Sequence, residues 1–202
     1  MLECKTNPQE RMRRIVAYTL GLCLISLNSV FAEPARAPVD PELKALLKRA
    51  AAEADGFQDR FDAWVWLADM SQRLEKRIPD AEYRIGLLKS VHREAARASL
   101  SPELVLAVIE VESNFDRYAI SPVGARGLMQ VMPFWLEEIG RTEDNLFQVD
   151  TNLRFGCTIL RYYLDRENGD RVRALARYNG SIGKPHYPAK VFQFWNERWF
   201  PQ

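Results

Sequence analysis

The chain has only two histidines and three cysteines among its 202 residues, which leaves little material for metal or thiol chemistry. His92 lies in a helical stretch and His186 in a proline-flanked loop, and neither has ligand spacing around it. Asp144-Asn145 and Asn168-Gly169-Asp170 do not complete a calcium loop, and there is no glycine-rich phosphate loop or dinucleotide fingerprint. The sequence therefore implies no metal and no cofactor. Charge of one sign is also missing: 28 Lys and Arg stand against 27 Asp and Glu, so no electrostatic footprint asks for nucleic acid. Period-2 alternation is nowhere long enough to specify a strand, and neither repeats nor low-complexity tracts occur. What is present is a hydrophobic fraction of 47% and a succession of helix start and stop signals, on enough chain to bury a core.

The N-terminus differs in kind from the rest. Arg11, Arg13 and Arg14 precede an apolar run from Ile15 to about Val30, which ends in Val30-Phe31-Ala32 before Glu33. This reads as a secretory signal, residues 1–32, cut after Ala32. The rival reading is a membrane anchor, but the run is shorter than the roughly 20 residues a spanning helix needs, and Ser26 and Asn28 interrupt it. Leu22 before Cys23 speaks against a lipid-modified signal. Glu3, Pro8 and Glu10 sit poorly ahead of the basic cluster, and Met12 would make a tidier start. Cleavage would remove Cys4 and Cys23 and leave Cys157 alone, so the mature chain could form no internal disulfide. Among Phe155, Ile159 and Leu160, Cys157 reads as a buried thiol.

Residues 33–80 read as a leader followed by a helical extension. Asp40-Pro41-Glu42 starts one helix, which runs to about Ala54, and a second covers roughly Asp59 to Arg77. Phe61, Trp64 and Trp66 in that second helix read as packing residues rather than sugar platforms. Beyond the Pro79-Asp80 break, Asp80 caps a helix to about Ala98, with Ile85, Leu88, Val91 and Ala95 inward. Ser101-Pro102-Glu103-Leu104 starts the next, to about Ser113. A loop-rich stretch holds Pro122, Gly124 and Gly127, and a short helix follows Pro133. Further helices are expected over about Asn152–Asp165, from Gly169-Asp170 to Tyr178, and from about Pro188 to Trp195. Phe155, Ile159, Tyr162 and Tyr163 form the apolar stripe of the first of these. The expected fold class is all-α, with helices packed around a cleft.

On a helical wheel over 102–113, Leu104, Val108, Val111 and Glu112 share a face. Glu112 thus projects from an apolar stripe at the negative end of a helix, and both desolvation and the dipole would raise its pKa. A carboxyl kept protonated near neutrality is what general-acid cleavage of a glycosidic bond requires. Glu110, two residues back, is expected to face solvent. Taken alone, Glu112 reads more readily as an ordinary helix-end residue, since a lone glutamate on a helix is common. Of Asp116, Asp144 and Asp150, none stands out by pattern as a partnering carboxylate.

The company of Glu112 changes the reading. Glu112-Ser113-Asn114-Phe115, the run from Ser121 to Pro133 containing Gly127-Leu128-Met129-Gln130-Val131-Met132-Pro133, and Ala176-Arg177-Tyr178-Asn179 occur in order. They resemble the Glu-Ser-x-Phe, Gly-Leu-Met-Gln-x-Met-Pro and Ala-x-Tyr-Asn segments of the lytic transglycosylases with a goose-type-lysozyme-like domain, over about residues 85–195. The resemblance implies a lysozyme-like helical catalytic domain, residues 81–202, acting on peptidoglycan glycan strands in the periplasm, with no stable membrane span in the mature chain. It implies Glu112 as acid then base in a non-hydrolytic cleavage, with Ser113, Met129, Gln130, Tyr178 and Asn179 lining the cleft. The Gln130 amide can donate to and accept from N-acetyl groups. Met129 can be a polarisable wall or core filler. Tyr178 can hold the Glu112 side chain or be a core tyrosine. Tyr187 is a further tyrosine expected near Glu112. The chain departs from the pattern at Arg177, where a small residue is common, at Gly180-Ser181, and at Pro188 in the Tyr187-Pro188-Ala189-Lys190-Val191 segment. Two other readings stay open: a lysozyme-like hydrolase with Asp116 positioning water, and a non-catalytic wall-binding or secretion-apparatus component.

Overall fold

The computed structural model describes Pro41 and residues 60–139 and 143–200. The expected signal, the leader, the helix at 40–54 and the side chains of Phe61 and Trp64 lie outside the described residues. Among residues 60–200, as far as they are described, seven α-helices follow one another: α1 (Arg60–Leu74), α2 (Ala81–Arg97), α3 (Pro102–Ser113), α4 (Phe134–Ile139), α5 (Val149–Arg166), α6 (Arg171–Tyr178) and α7 (His186–Phe194). A π-helical turn, Trp195–Trp199, closes the described chain. No strand forms among the described residues, only isolated bridges pairing Arg126 with Ile120 and with Val131. None of the described helices is long and apolar enough to cross a membrane.

The helix starts form where side-chain acceptors stand ready. Asp80 accepts from the amides of Glu82 and Tyr83, Ser101 from Leu104 N, and Asp170 from Arg173 N. Each satisfies a first-turn N–H that the helix itself cannot, a contribution of about 1 kcal/mol per cap. Pro102 fits the first turn of α3 because its missing N–H has no helical partner there.

Helix α3 is the axis of the molecule. Every residue from Glu103 to Ile109 and on to Glu110 is buried. Helix α2 and helix α7 pack on it, the π turn covers its C-terminal half, and α5 packs on α2 and α6. A helix hydrophobic all round must lie inside the fold, and this one has a mean composition of that kind between Leu104 and Ile109. That enclosure overturns the expectation for Glu110. Its carboxylate is 5% exposed, accepts from Trp199 Nε1 at 2.7 Å, and pairs with Arg77 at 2.5 Å and with Arg198. The wheel alone pointed it outward; the chain that covers it comes from the far end of the sequence. Ile85 is a second correction, since it is 39% exposed on the flank of α2, while Leu87, Leu88, Val91 and Ala95 form the buried stripe. Trp66 packs on His92 and donates to Glu103 at 2.7 Å, so it joins the core as expected.

Candidate active site

Glu112 is the penultimate residue of α3, and the chain turns sharply behind it. Asn114 (φ 49°) and Phe115 (φ 69°) both lie in the left-handed region, which is costly for residues bearing a Cβ. The turn is held by Asn114 N donating to Glu110 O and by Phe115 packing edge-on against Trp199 at 5.6 Å. Gln130 (φ 48°) is a third such residue in the neighbouring loop. Backbone strain of this kind persists only where the surroundings over-determine it, and it clusters at functional sites.

The loop from Asp116 to Val131 is fixed by one residue that the sequence reading missed. Asn152, on α5 and 1% exposed, accepts from Met129 N at 2.8 Å. Its amide donates to Arg126 O and Leu146 O, each at 2.8 Å. Gly127 (φ +74°) lets Asn152 come this close, because a Cβ there would stand 2.4 Å from both Asn152 Nδ2 and Leu146 O. Nothing in the pattern of α5 sets Asn152 apart, since a buried asparagine looks like a surface one until its partners are known. Ser113 ties the same loop to α3, its hydroxyl donating to Leu128 O at 2.8 Å. It is half-buried and acts on backbone here rather than presenting itself to the cleft.

Two of the expected cleft residues take other roles. Met129 is fully buried, its thioether 4.0 Å from the Cys157 thiol and seated over Gly156, where a Cβ would come within 2.5 Å of its sulfur. Its side chain is core. Tyr178 does not hold Glu112; its hydroxyl donates to the Met129 carbonyl at 2.7 Å, although the ring still lines the cleft. The hydroxyl that reaches the carboxyl belongs to Tyr187, which donates to Glu112 Oε1 at 2.6 Å. Tyr187 is 7% exposed, and burial raises the pKa of both phenols well above the ordinary value, so each stays a donor. Gln130 lines the cleft, but its NH₂ donates to Ala119 O and Gly127 O at 3.2 and 2.9 Å, leaving the amide oxygen as what it can offer. Asn179 is exposed at the rim, on the C-cap of α6.

These residues surround a cleft of about 310 Å³. Phe134, Trp135, Ile159 and Tyr163 add an apolar wall, of which Ile159 and Tyr163 were expected only as part of a packing stripe, and Val123 projects from the rim. Among the described residues, Glu112 is the one carboxylate lining it. Burial pushes the Glu112 pKa up to about 7; the Tyr187 hydrogen bond and then the Lys190 charge pull the other way and only moderate the rise. At neutral pH the group is thus split between acid and base, the state in which one carboxyl can give a proton and take one back. Asp116 accepts from Tyr118 N at 2.8 Å on the exposed loop, and Asp150 is bound to Arg93 and Ser90 on the α5 start. Neither lines the cleft.

The transglycosylase SLT domain model matches residues 89–189, half of the chain. A transglycosylase of Enterobacteria phage PRD1 is 35% identical over 103 residues, covering 51% of this chain and 38% of that protein. The membrane-bound lytic murein transglycosylase F of Desulfosudis oleivorans is 34% identical over 131 residues, covering 62% of this chain and 27% of the relative. An X-ray structure of an inactive mutant of lytic transglycosylase Slt from Pseudomonas aeruginosa matches with a TM-score of 0.43 at 24% identity, covering 78% of this chain and 31% of that one. The chain thus spans well under half the length of the curated relatives it matches.

Proposed function

The chain belongs to the transglycosylase SLT domain family, and we propose accordingly that it is a peptidoglycan lytic transglycosylase that cleaves the β-1,4 bond from N-acetylmuramic acid to N-acetylglucosamine without water. Glu112, protonated, gives its proton to the bridging oxygen, and the muramoyl N-acetyl group stabilises the positive charge that develops at C1. The Glu112 carboxylate then takes the proton of the C6 hydroxyl of the same sugar. The C6 oxygen closes on C1, leaving a 1,6-anhydro ring on one product and a free hydroxyl on the other. Tyr187 holds the carboxyl at one oxygen, Gln130 and Asn179 offer polar contacts to the sugars, and the aromatic wall takes their apolar faces.

The observation that carries this reading is the lone cleft carboxyl with a pKa near neutrality. A hydrolase of ordinary design needs a second carboxylate to activate water or trap the sugar, and the described residues of the lining supply none. The site of action under this proposal is the periplasm, reached through a signal cut after Ala32. Purified peptidoglycan incubated with the protein should release muropeptides ending in 1,6-anhydro-muramic acid, and Glu112→Gln should release none. Ordinary reducing ends would make it a hydrolase instead. No release by the folded wild-type protein would remove the enzymatic reading. Mass spectrometry of the exported chain should find Glu33 at its N-terminus.

A further inference from the structure

The chain is nearly neutral as a whole, but its charge is not evenly spread. From Arg171 to Phe200 the cations are Arg171, Arg173, Arg177, Lys184, Lys190 and Arg198, and the only acid is Glu197. Within this segment lies a second cavity, of about 440 Å³, that shares no lining residue with the catalytic cleft. Arg173, Arg177 and Lys184 line it around Glu167, which is almost fully buried and accepts from the Nε of both arginines. One carboxylate thus orients two guanidinium groups and offsets one of three positive charges. Asp170, the next acid along the chain, is spent on capping α6. Among the described residues no acid pairs with the Lys184 ammonium, whose residue bonds only through its backbone. A hollow with this surplus of positive charge favours an anionic occupant.

The apolar groups around the hollow say which kind of anion. Val172 and Ile182, 49% and 61% exposed, edge it together with Pro185. One residue before Val172, the Arg171 guanidinium lies 5.2 Å from the centroid of the Trp195 ring, and Trp195 meets Phe200, itself 54% exposed, at 6.3 Å. The exposed first turn of α6, Arg171 to Arg173, therefore joins the hollow to an aromatic corner. The aliphatic side chains stand singly among the cations, on that turn and on the loop 179–185, instead of forming one groove that a partner's helix or strand would fill. A free anion gives them nothing to cover. An anionic bilayer offers both partners in one surface: charge at the headgroups, hydrocarbon just beneath, and between them the level at which Trp and Phe settle. We propose that this face docks on an anionic phospholipid surface, with a headgroup phosphate between Arg173, Arg177 and Lys184, Val172 and Ile182 dipping below it, and the Trp195–Phe200 corner at the interface. The contact is peripheral, none of the described helices being long and apolar enough to cross a membrane, and it stands apart from the catalytic reading.

The test uses the protein as exported, with Lys184→Glu and Ile182→Ser; both side chains are exposed, so circular dichroism should show the wild-type fold. Binding is read by cosedimentation at low salt with vesicles of equal parts phosphatidylglycerol and phosphatidylcholine, and with vesicles of phosphatidylcholine alone. The wild type should prefer the mixed vesicles and be released as salt rises. Each basic side chain near such a surface strengthens binding about fivefold, and Lys184→Glu exchanges one for its opposite, so affinity for the mixed vesicles should fall roughly twentyfold. Ile182→Ser should weaken binding severalfold with the salt dependence unchanged. In parallel, dihexanoyl-phosphatidylglycerol below its micelle concentration should shift the amide resonances of 172–184 in the wild type, and shift them less in Lys184→Glu. Equal sedimentation of wild type and Lys184→Glu with no such shifts overturns the proposal. So do shifts that inorganic phosphate reproduces in full, which would make the hollow a bare anion site. Absence of any preference for the mixed vesicles, together with shifts caused by a glutamate-rich peptide, overturns it too and would give the face to a protein partner. If an uncleaved N-terminal run holds every variant on both kinds of vesicle, the shifts caused by the lipid decide alone.

Discussion

Glu112 carries a cost that its own substitution should reveal. Its pKa is about 7 in the fold against an ordinary 4.5. Between those values the native state keeps a proton that the unfolded chain releases, so stability is full below the lower value and declines as pH rises through the upper one. The difference corresponds to roughly 3–4 kcal/mol. Glu112→Gln keeps an acceptor for the Tyr187 hydroxyl and has no charge to bury. Its stability relative to wild type, measured by urea unfolding, should therefore increase by about that amount between about pH 4 and about pH 9. Parallel profiles for the two proteins would mean that the carboxyl is not desolvated. The same group sets the activity profile: cleavage should fall on the alkaline side of about pH 7 as the acid is lost. Tyr187 donates to the carboxylate and lowers that pKa, so Tyr187→Phe should move the alkaline limb to higher pH while reducing kcat by roughly ten- to a hundredfold through loss of positioning. A slower variant with an unmoved limb would make Tyr187 a packing residue only.

Among the elements, the loop between α3 and α4 is where local geometry and long-range packing meet. Asn152 satisfies one amide and two carbonyls of that loop region from a buried position on α5. Asn152→Ala would leave the Met129 amide and the Leu146 carbonyl without these partners, while Arg126 O keeps Val131 N; at about 1–3 kcal/mol per orphaned group, a loss of at least about 2 kcal/mol is expected in urea unfolding. Hydrogen exchange should quicken first at Met129, whose amide loses its acceptor. A loss below about 1 kcal/mol would mean that water takes over the three bonds. The helix starts at Asp80, Ser101 and Asp170 were legible in the sequence because a cap is a local event, one side chain and the amides two or three residues on. Glu112 was legible for a similar reason, since its face of α3 repeats at helical spacing. Asn152, the Met129 carbonyl as the partner of the Tyr178 hydroxyl, and the burial of Met129 were not, whereas Tyr187 stands by Glu112 as expected. Each depends on which distant backbone group arrives at a given point, and no periodicity records that. Tyr178, partly buried, and Tyr187, buried, are told apart by the acceptor the fold brings to each hydroxyl.

At the scale of the whole molecule, the two ends of the described chain meet around α3. Arg73 on α1 donates to the carbonyls of Arg198 and Phe200, Arg77 pairs with Glu110, and Trp199 packs on Phe115 while donating to the same carboxylate. This is why Glu110 is buried where its wheel position pointed outward, and why the strained turn at Asn114 and Phe115 behind Glu112 holds its shape. The clasp makes the C-terminal turn part of the core. Trp199→Ala removes one of the largest fully buried side chains and deprives a buried carboxylate of its indole donor. A loss of about 3–5 kcal/mol is expected from the cavity alone. The informative comparison is with Trp199→Phe, which keeps much of the packing and loses the N–H. If the clasp acts through Glu110 on the end of α3, Trp199→Phe should recover most of the stability yet leave cleavage reduced, because the turn that aims Glu112 is still missing one of its ties. If Trp199→Phe restores stability and activity in equal measure, the indole serves the core by volume alone, and the geometry of Glu112 rests on Ser113 and Tyr187 without help from the C-terminus.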